Sequence, residues 1–112
     1  MLLREKDKER LIAIFNTADI PIEVWAYGSR VKGGAHDGSD LDLVVRSADL
    51  SKIPMETYID LCEKIRDSQI PILVELRDWA MLPESFHKNI AAHHEVLYTS
   101  CQSILNEQKS SV

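Results

Sequence analysis

The sequence predicts a small α/β domain in which one sheet is covered by helices, and three observations predict it. Three short runs rich in β-branched and aromatic residues, at Ile22–Tyr27, 41–46 and 72–77, read as strands. Segments with apolar residues at helical spacing alternate with those runs. The chain has 112 residues, 45% of them hydrophobic and 28% charged, which suits one ordinary globular domain and hardly two. That domain is expected to fill 1–112, with its core at about 5–98 and a polar tail over 103–112.

The elements follow in order. Between residues 5 and 18, Leu11, Ile14, Phe15 and Ala18 share one helical face, and Pro21 ends the helix. IEVWAY is the first strand, stopped by Gly28. The stretch SRVKGGAHDGS is a loop that can open with a turn or two of helix. LDLVVR, 41–46, is the second strand. Ser51 and Pro54 announce a helix over 54–67, whose Met55, Ile59, Cys62 and Ile65 fall on one stripe. ILVELR, 72–77, is the third strand, and Pro83 opens a short helix carrying Phe86 and Ile90. Residues 95–98 are apolar but too few to assign. Neither strand order nor strand direction can be read from this pattern.

Composition narrows the function. No apolar run approaches the ~20 residues of a membrane span, and the N-terminus lacks a signal-peptide core. The chain therefore reads as cytoplasmic. Cys62 and Cys101 belong to no CxxC pattern and are expected to be reduced and structural. A net charge of −5 without a basic tract argues against tight binding to long nucleic acid, which needs many phosphate contacts. A single phosphate-bearing ligand needs only a local site.

The informative residues are GSRVKGGAHDGSDLD, from Gly28 to Asp42. Asp40 and Asp42 flank Leu41 at the start of a strand, so alternation projects both carboxylates from one face. Leu41 and Leu43 then point into the core. Two adjacent like charges repel, and a hard divalent cation such as Mg²⁺ would explain the pairing. Gly28 and Ser29 follow a strand directly. Glycine admits close approach of a ligand, and the start of a helix offers N–H groups to an anion. Arg30 and Lys32 add positive charge nearby. Glu75 interrupts an apolar strand between Val74 and Leu76. Neighbouring strands lie ~4.8 Å apart, so Glu75 can reach the same metals or act as general base.

These residues resemble a known family. Gly-Ser, ten intervening residues and Asp-x-Asp form the signature of the polymerase-β-like nucleotidyltransferases. The stretch VWAYGSRVKGGAHDGSDLDLVV looks like their small branch, the minimal nucleotidyltransferase (MNT) domains, and VELRDW and VLY resemble later family segments. The resemblance runs from about residue 21 to 98. Four fixed positions should match by chance in about one chain in a thousand of this length. The resemblance implies the nucleotidyltransferase fold, an α/β (α+β) domain with a small mixed β-sheet flanked by helices. It implies two Mg²⁺ ions held by Asp40, Asp42 and Glu75, with ATP as substrate and Gly28, Ser29 and Arg30 on its phosphates. The family usually has Asp where this chain has Glu75. Many members are antitoxins of MNT/HEPN pairs, which transfer AMP from ATP to a tyrosine of a HEPN ribonuclease toxin.

The expected function is thus Mg-dependent transfer of AMP to a hydroxyl. No second region for an acceptor is visible, so a partner is expected to present it, in a hetero-oligomer. Two alternatives stay open: a transferase acting on a small hydroxylated molecule, and a non-catalytic antitoxin that masks its partner by contact. Elsewhere the plain readings hold. His93 and His94 diverge and read as surface or packing residues. Trp25, Trp79 and Tyr27 read as core, and Asp78 as a cap or turn residue.

Overall fold

Alternation along three strands sorts this chain into a sealed face and a working face. The computed structural model describes residues 3–32 and 40–100, apart from the side chains of Ser29 and Lys32. The expectations for the loop 33–39, for Cys101 and for the tail 103–112 lie outside the described residues. The elements are α1 (Glu5–Phe15), β1 (Ile22–Tyr27), α2 (Ser29–Lys32), β2 (Leu41–Ser47), α3 (Met55–Asp67) and β3 (Val74–Asp78). A 3₁₀ turn (Trp79–Met81), α4 (Glu84–Ala92) and β4 (Glu95–Thr99) follow.

The sheet order is β3-β2-β1-β4. β1 runs antiparallel to β2 and β4, while β2 and β3 are parallel and joined through α3. The sheet is therefore mixed, as the family resemblance implies. Parallel neighbours require a crossover of this kind, since no tight turn can return the chain to the same end.

On the sealed face, Ile22, Val24, Ala26, Leu41, Leu43, Val45 and Leu76 pack against Leu11 and Phe15 of α1 and Leu61 and Ile65 of α3. Most of these are fully buried. At ~25 cal/mol per Å² of apolar area, this layer dominates the stability of the domain. The working face carries the 3₁₀ turn and α4, where Val44, Trp79 and Ile90 form a second, smaller cluster.

Four expectations need correction. α1 ends at Phe15, and Ala18 packs on the core from the following turn. β3 starts at Val74 instead of residue 72, and ends at Asp78. Residues left unassigned at 95–98 form most of β4, because β1 offers them a pairing edge. The stripe on α3 is displaced: Met55 and Ile59 are exposed, while Tyr58, Leu61, Cys62 and Ile65 face the sheet. The Tyr58 hydroxyl donates to the Leu76 carbonyl, and Thr57 donates to Asp19 at 2.9 Å. The buried stripe is centred on Leu61, which the expected set omitted, and these two bonds accompany it. Asp78 behaves as read: it caps the 3₁₀ turn through Ala80 N–H and accepts from Ile53 N–H at 2.8 Å. Among the described residues, no helix is long and apolar enough to cross a membrane.

Candidate active site

The open end of the working face is built by register. Asp42 on β2 stands opposite Tyr27 on β1 and opposite Glu75 on β3. Asp40 precedes β2 and is exposed, while Leu41 and Leu43 turn into the core. The register thus brings Asp42 and Glu75 side by side, with the Asp40 charge near enough to act on Asp42. Among the described residues, no three His, Cys, Asp or Glu side chains are grouped tightly enough to hold a metal by themselves.

Gly28 ends β1 with φ of +82°, a conformation that side chains other than glycine's rarely adopt. A Cβ on Gly28 would lie 2.5 Å from Asp42 Oδ2. Glycine is therefore required twice, for its backbone angle and for the space beside the carboxylate. Ser29 opens α2, with Val31 N–H bonded to the Gly28 carbonyl at 3.1 Å. The side chains of Ser29 and Lys32 lie outside the described residues. Arg30 is only 6% exposed and has interactions within the chain, so its side chain is not spread on the surface of the site.

Arg77 is the residue that the sequence reading missed. Its guanidinium donates to Glu75 at 3.1 Å, lies 3.6 Å from Asp42 Oδ1 and donates to the Tyr27 hydroxyl at 3.3 Å. The signal was available: Arg77 is two residues beyond Glu75 on a strand and must share its face. Burial raises the pKa of Asp42 above the ordinary carboxylate value, and the Glu75 charge raises it further; Arg77 opposes both. Burial likewise raises the Tyr27 phenol. This end of the sheet therefore gathers two carboxylates and a phenol around one guanidinium.

The opposite end of the same face is closed. Arg46 donates to Glu23 at 2.8 Å, and its guanidinium lies 3.9 Å from the Trp25 ring centroid and 4.5 Å from that of Trp79. His94 stacks on Trp25 and His87 stacks on Trp79, with centroids 3.8 and 4.0 Å apart. His94 is thus a packing residue, while His93 is exposed. Trp79 is buried, and Trp25 and Tyr27 are half-buried.

Comparison with known proteins bears on the family and the fold. The chain is 40% identical over 76 residues to "Probable protein adenylyltransferase MntA" of Haemophilus influenzae, covering 66% of this chain and 63% of that protein. It therefore spans less than two thirds of the length of this relative. Among solved structures it resembles a chain of a toxin–antitoxin crystallised with AMP-PNP, at a TM-score of 0.67 and 18% identity, over 87% of this chain and 77% of the other. It also resembles a chain of the MntA-HepT toxin–antitoxin, at 0.62 and 15%, over 89% and 76%. At such identities these structures establish the fold. Residues 9–103 match the family described as Polymerase beta, Nucleotidyltransferase, and the chain belongs to that nucleotidyltransferase family.

Proposed function

We propose that this chain is the antitoxin of a toxin–antitoxin pair and an adenylyltransferase, moving AMP from ATP onto a tyrosine of a HEPN ribonuclease partner. One observation carries the reading: Asp42 and Glu75 are register partners on adjacent strands, beside a glycine whose missing Cβ leaves room next to Asp42. The likeness to a relative named as a protein adenylyltransferase, and to chains of toxin–antitoxin structures, supports the acceptor and the partner.

The donor set suits Mg²⁺. It is all carboxylate, as a hard cation prefers, and a cationic Arg77 already sits against two of its members. Asp40, Asp42 and Glu75 would hold the metal. Bound there, Mg²⁺ would neutralise triphosphate charge and favour ionisation of the acceptor hydroxyl. Gly28 and Ser29 orient the β- and γ-phosphates. Glu75 accepts the proton of the attacking hydroxyl. A bond forms from that oxygen to the α-phosphorus, the bond to the bridging oxygen breaks, and pyrophosphate departs. Arg77 is placed to stabilise charge that grows on the transferring phosphoryl group. Placement and charge supply most of the rate enhancement in such reactions.

A second reading is masking by contact alone, and Arg77 favours it by already pairing with both carboxylates. The experiment separates the two. The chain, its HEPN partner, ATP and Mg²⁺ are incubated together, and the intact mass of the partner is measured. Addition of AMP to a partner tyrosine supports transfer. A stable complex with an unmodified, inactive partner overturns it in favour of masking.

A further inference from the structure

Next to the carboxylates, a cleft of about 160 Å³ opens between the end of β1 and α4, lined by Tyr27, Gly28, Phe86, Asn89, Ile90 and His93. The last four recur at helical spacing and share one side of α4 and its C-terminal cap. Ile90 is the floor, 2% exposed and packed with Val44 and Trp79. Phe86 is 46% exposed, and Asn89 and His93 stand open at the rim. Among the described residues, the Asn89 amide makes no hydrogen bond.

We propose that this cleft is the nucleobase subsite, taking the purine of a bound nucleoside triphosphate against Phe86 while Asn89 reads its edge. The proposal rests on the nucleotidyl-transfer reading and adds base recognition to it. Gly28 belongs both to this cleft and to the backbone beside Asp42. A nucleotide with phosphates at Gly28 therefore has the cleft within reach of its base. Tyr27 joins the two regions: its ring lines the cleft and its hydroxyl accepts from Arg77.

The chemistry of the walls suits a purine. Aromatic rings stack on any base, and the larger purine gains more from that stacking. An asparagine amide pairs one donor with one acceptor and meets the amino group and ring nitrogen of adenine in a bidentate contact. Another cavity, about 350 Å³ between Met55, Tyr58 and Met81, is a poorer candidate. It lies at the β3 edge, across β2 from Gly28, and offers no amide.

The test is calorimetric binding of ATP, GTP and CTP to the full chain in Mg²⁺. Wild type should prefer ATP to CTP. Phe86→Ala should weaken ATP by about tenfold. Asn89→Asp, whose carboxylate accepts hydrogen bonds and donates none, should shift the ATP-to-GTP preference towards GTP by about tenfold. Both side chains are exposed, so thermal melts should not move; Phe86→Leu serves as a milder second variant. If ATP binds and all variants keep its affinity and preference within about twofold, the base sits elsewhere and the transfer reading stands. If wild type binds no triphosphate, the transfer reading fails and the subsite fails with it.

Discussion

Two arginines on one face of the sheet meet carboxylates in opposite settings. Arg46 and Glu23 have side chains 16% and 23% exposed, joined at 2.8 Å, with the guanidinium packed against two indole rings that meet edge-on. Arg77 is 42% exposed, 3.1 Å from Glu75 and 3.6 Å from Asp42. Opening the first pair would strand Glu23 in a poorly solvated place, which is costly. Opening the second exposes groups that water and ions already reach, which costs little. The face thus has a fixed charge pair at one end and an exchangeable one at the other. Chemistry belongs where the counter-ion can be replaced.

The largest effect should come from the exchangeable end. Asp42→Asn is nearly isosteric but removes charge that a metal-bound triphosphate needs. Transfer to the partner should fall by about 10³-fold or more while the protein stays folded. Mass spectrometry of the partner and a thermal melt of the variant check both halves. Near-normal turnover would remove Asp42 from the site. Glu75→Gln should follow, at about 10²-fold if Glu75 takes the hydroxyl proton. Glu75→Asp should retain more activity than Gln, because it keeps a basic carboxylate.

At the fixed end the signature should reverse. Arg46→Gln should lower stability by about 2 kcal/mol, through lost stacking and an unpaired Glu23, and leave the rate of transfer by the folded fraction nearly unchanged. Urea denaturation and initial rates separate the two. A transfer defect larger than the unfolded fraction explains would join the two ends into one site.

How legible each region was follows from the same difference. The sealed face writes itself into the sequence, because burial on alternate residues of β1 and β2 is a period-two pattern. The closeness of Asp42 and Glu75 was legible, because Glu75 interrupts an apolar strand and Asp42 repeats the charge of Asp40. Arg77 was legible only through Glu75, two residues away on the same strand face, and Arg46 gave no signal, since an arginine by itself reads as solvated. Only its tertiary neighbours reveal that Arg46 packs against two tryptophans. β4 escaped because it is short: its Val, Tyr and Thr suit a strand, but five residues are assigned only by their pairing with β1. α3 offered two overlapping apolar stripes, and the one through Leu61 and Tyr58 packs on the sheet while Met55 and Ile59 face out.

Gly28 sharpens the exchangeable end further. Gly28→Ala should cost about 1 to 2 kcal/mol for its left-handed backbone alone. The added methyl also meets Asp42, so the variant should lose transfer beyond its loss of stability. In the Asp42→Ala background the same change should cost less, because the clash is gone. Additive losses in this double-mutant cycle would mean that the contact carries no energy.

The smallest effects separate two carboxylates that titrate in opposite directions. Asp7, on α1, is buried and bonded to Arg4 at 2.9 Å, with Arg10 at 3.7 Å. The Arg4 hydrogen bond holds its pKa below the ordinary 3.8, against the effect of burial. Asp42 is pushed above 3.8, first by burial and then by Glu75. The signs follow from proton linkage. Asp7 binds its proton less tightly when folded, so its stabilisation is complete above pH 3.8 and fades as pH falls through the lower, folded value. Asp42 binds its proton more tightly when folded, so it imposes a penalty that grows as pH rises from 3.8 through the higher, folded value. In metal-free buffer near neutrality, Asp7→Asn should therefore melt lower than wild type, and Asp42→Asn should melt equal or higher. Below pH 3.8 the Asp42→Asn difference should vanish, while that of Asp7→Asn should shrink only further into acid. Thermal melts from pH 3 to 8 in EDTA read both curves. If Asp42→Asn melts several degrees lower at neutral pH, Asp42 is a structural acceptor like Asp7, and its end of the face loses the exchangeable character that the transfer reading requires.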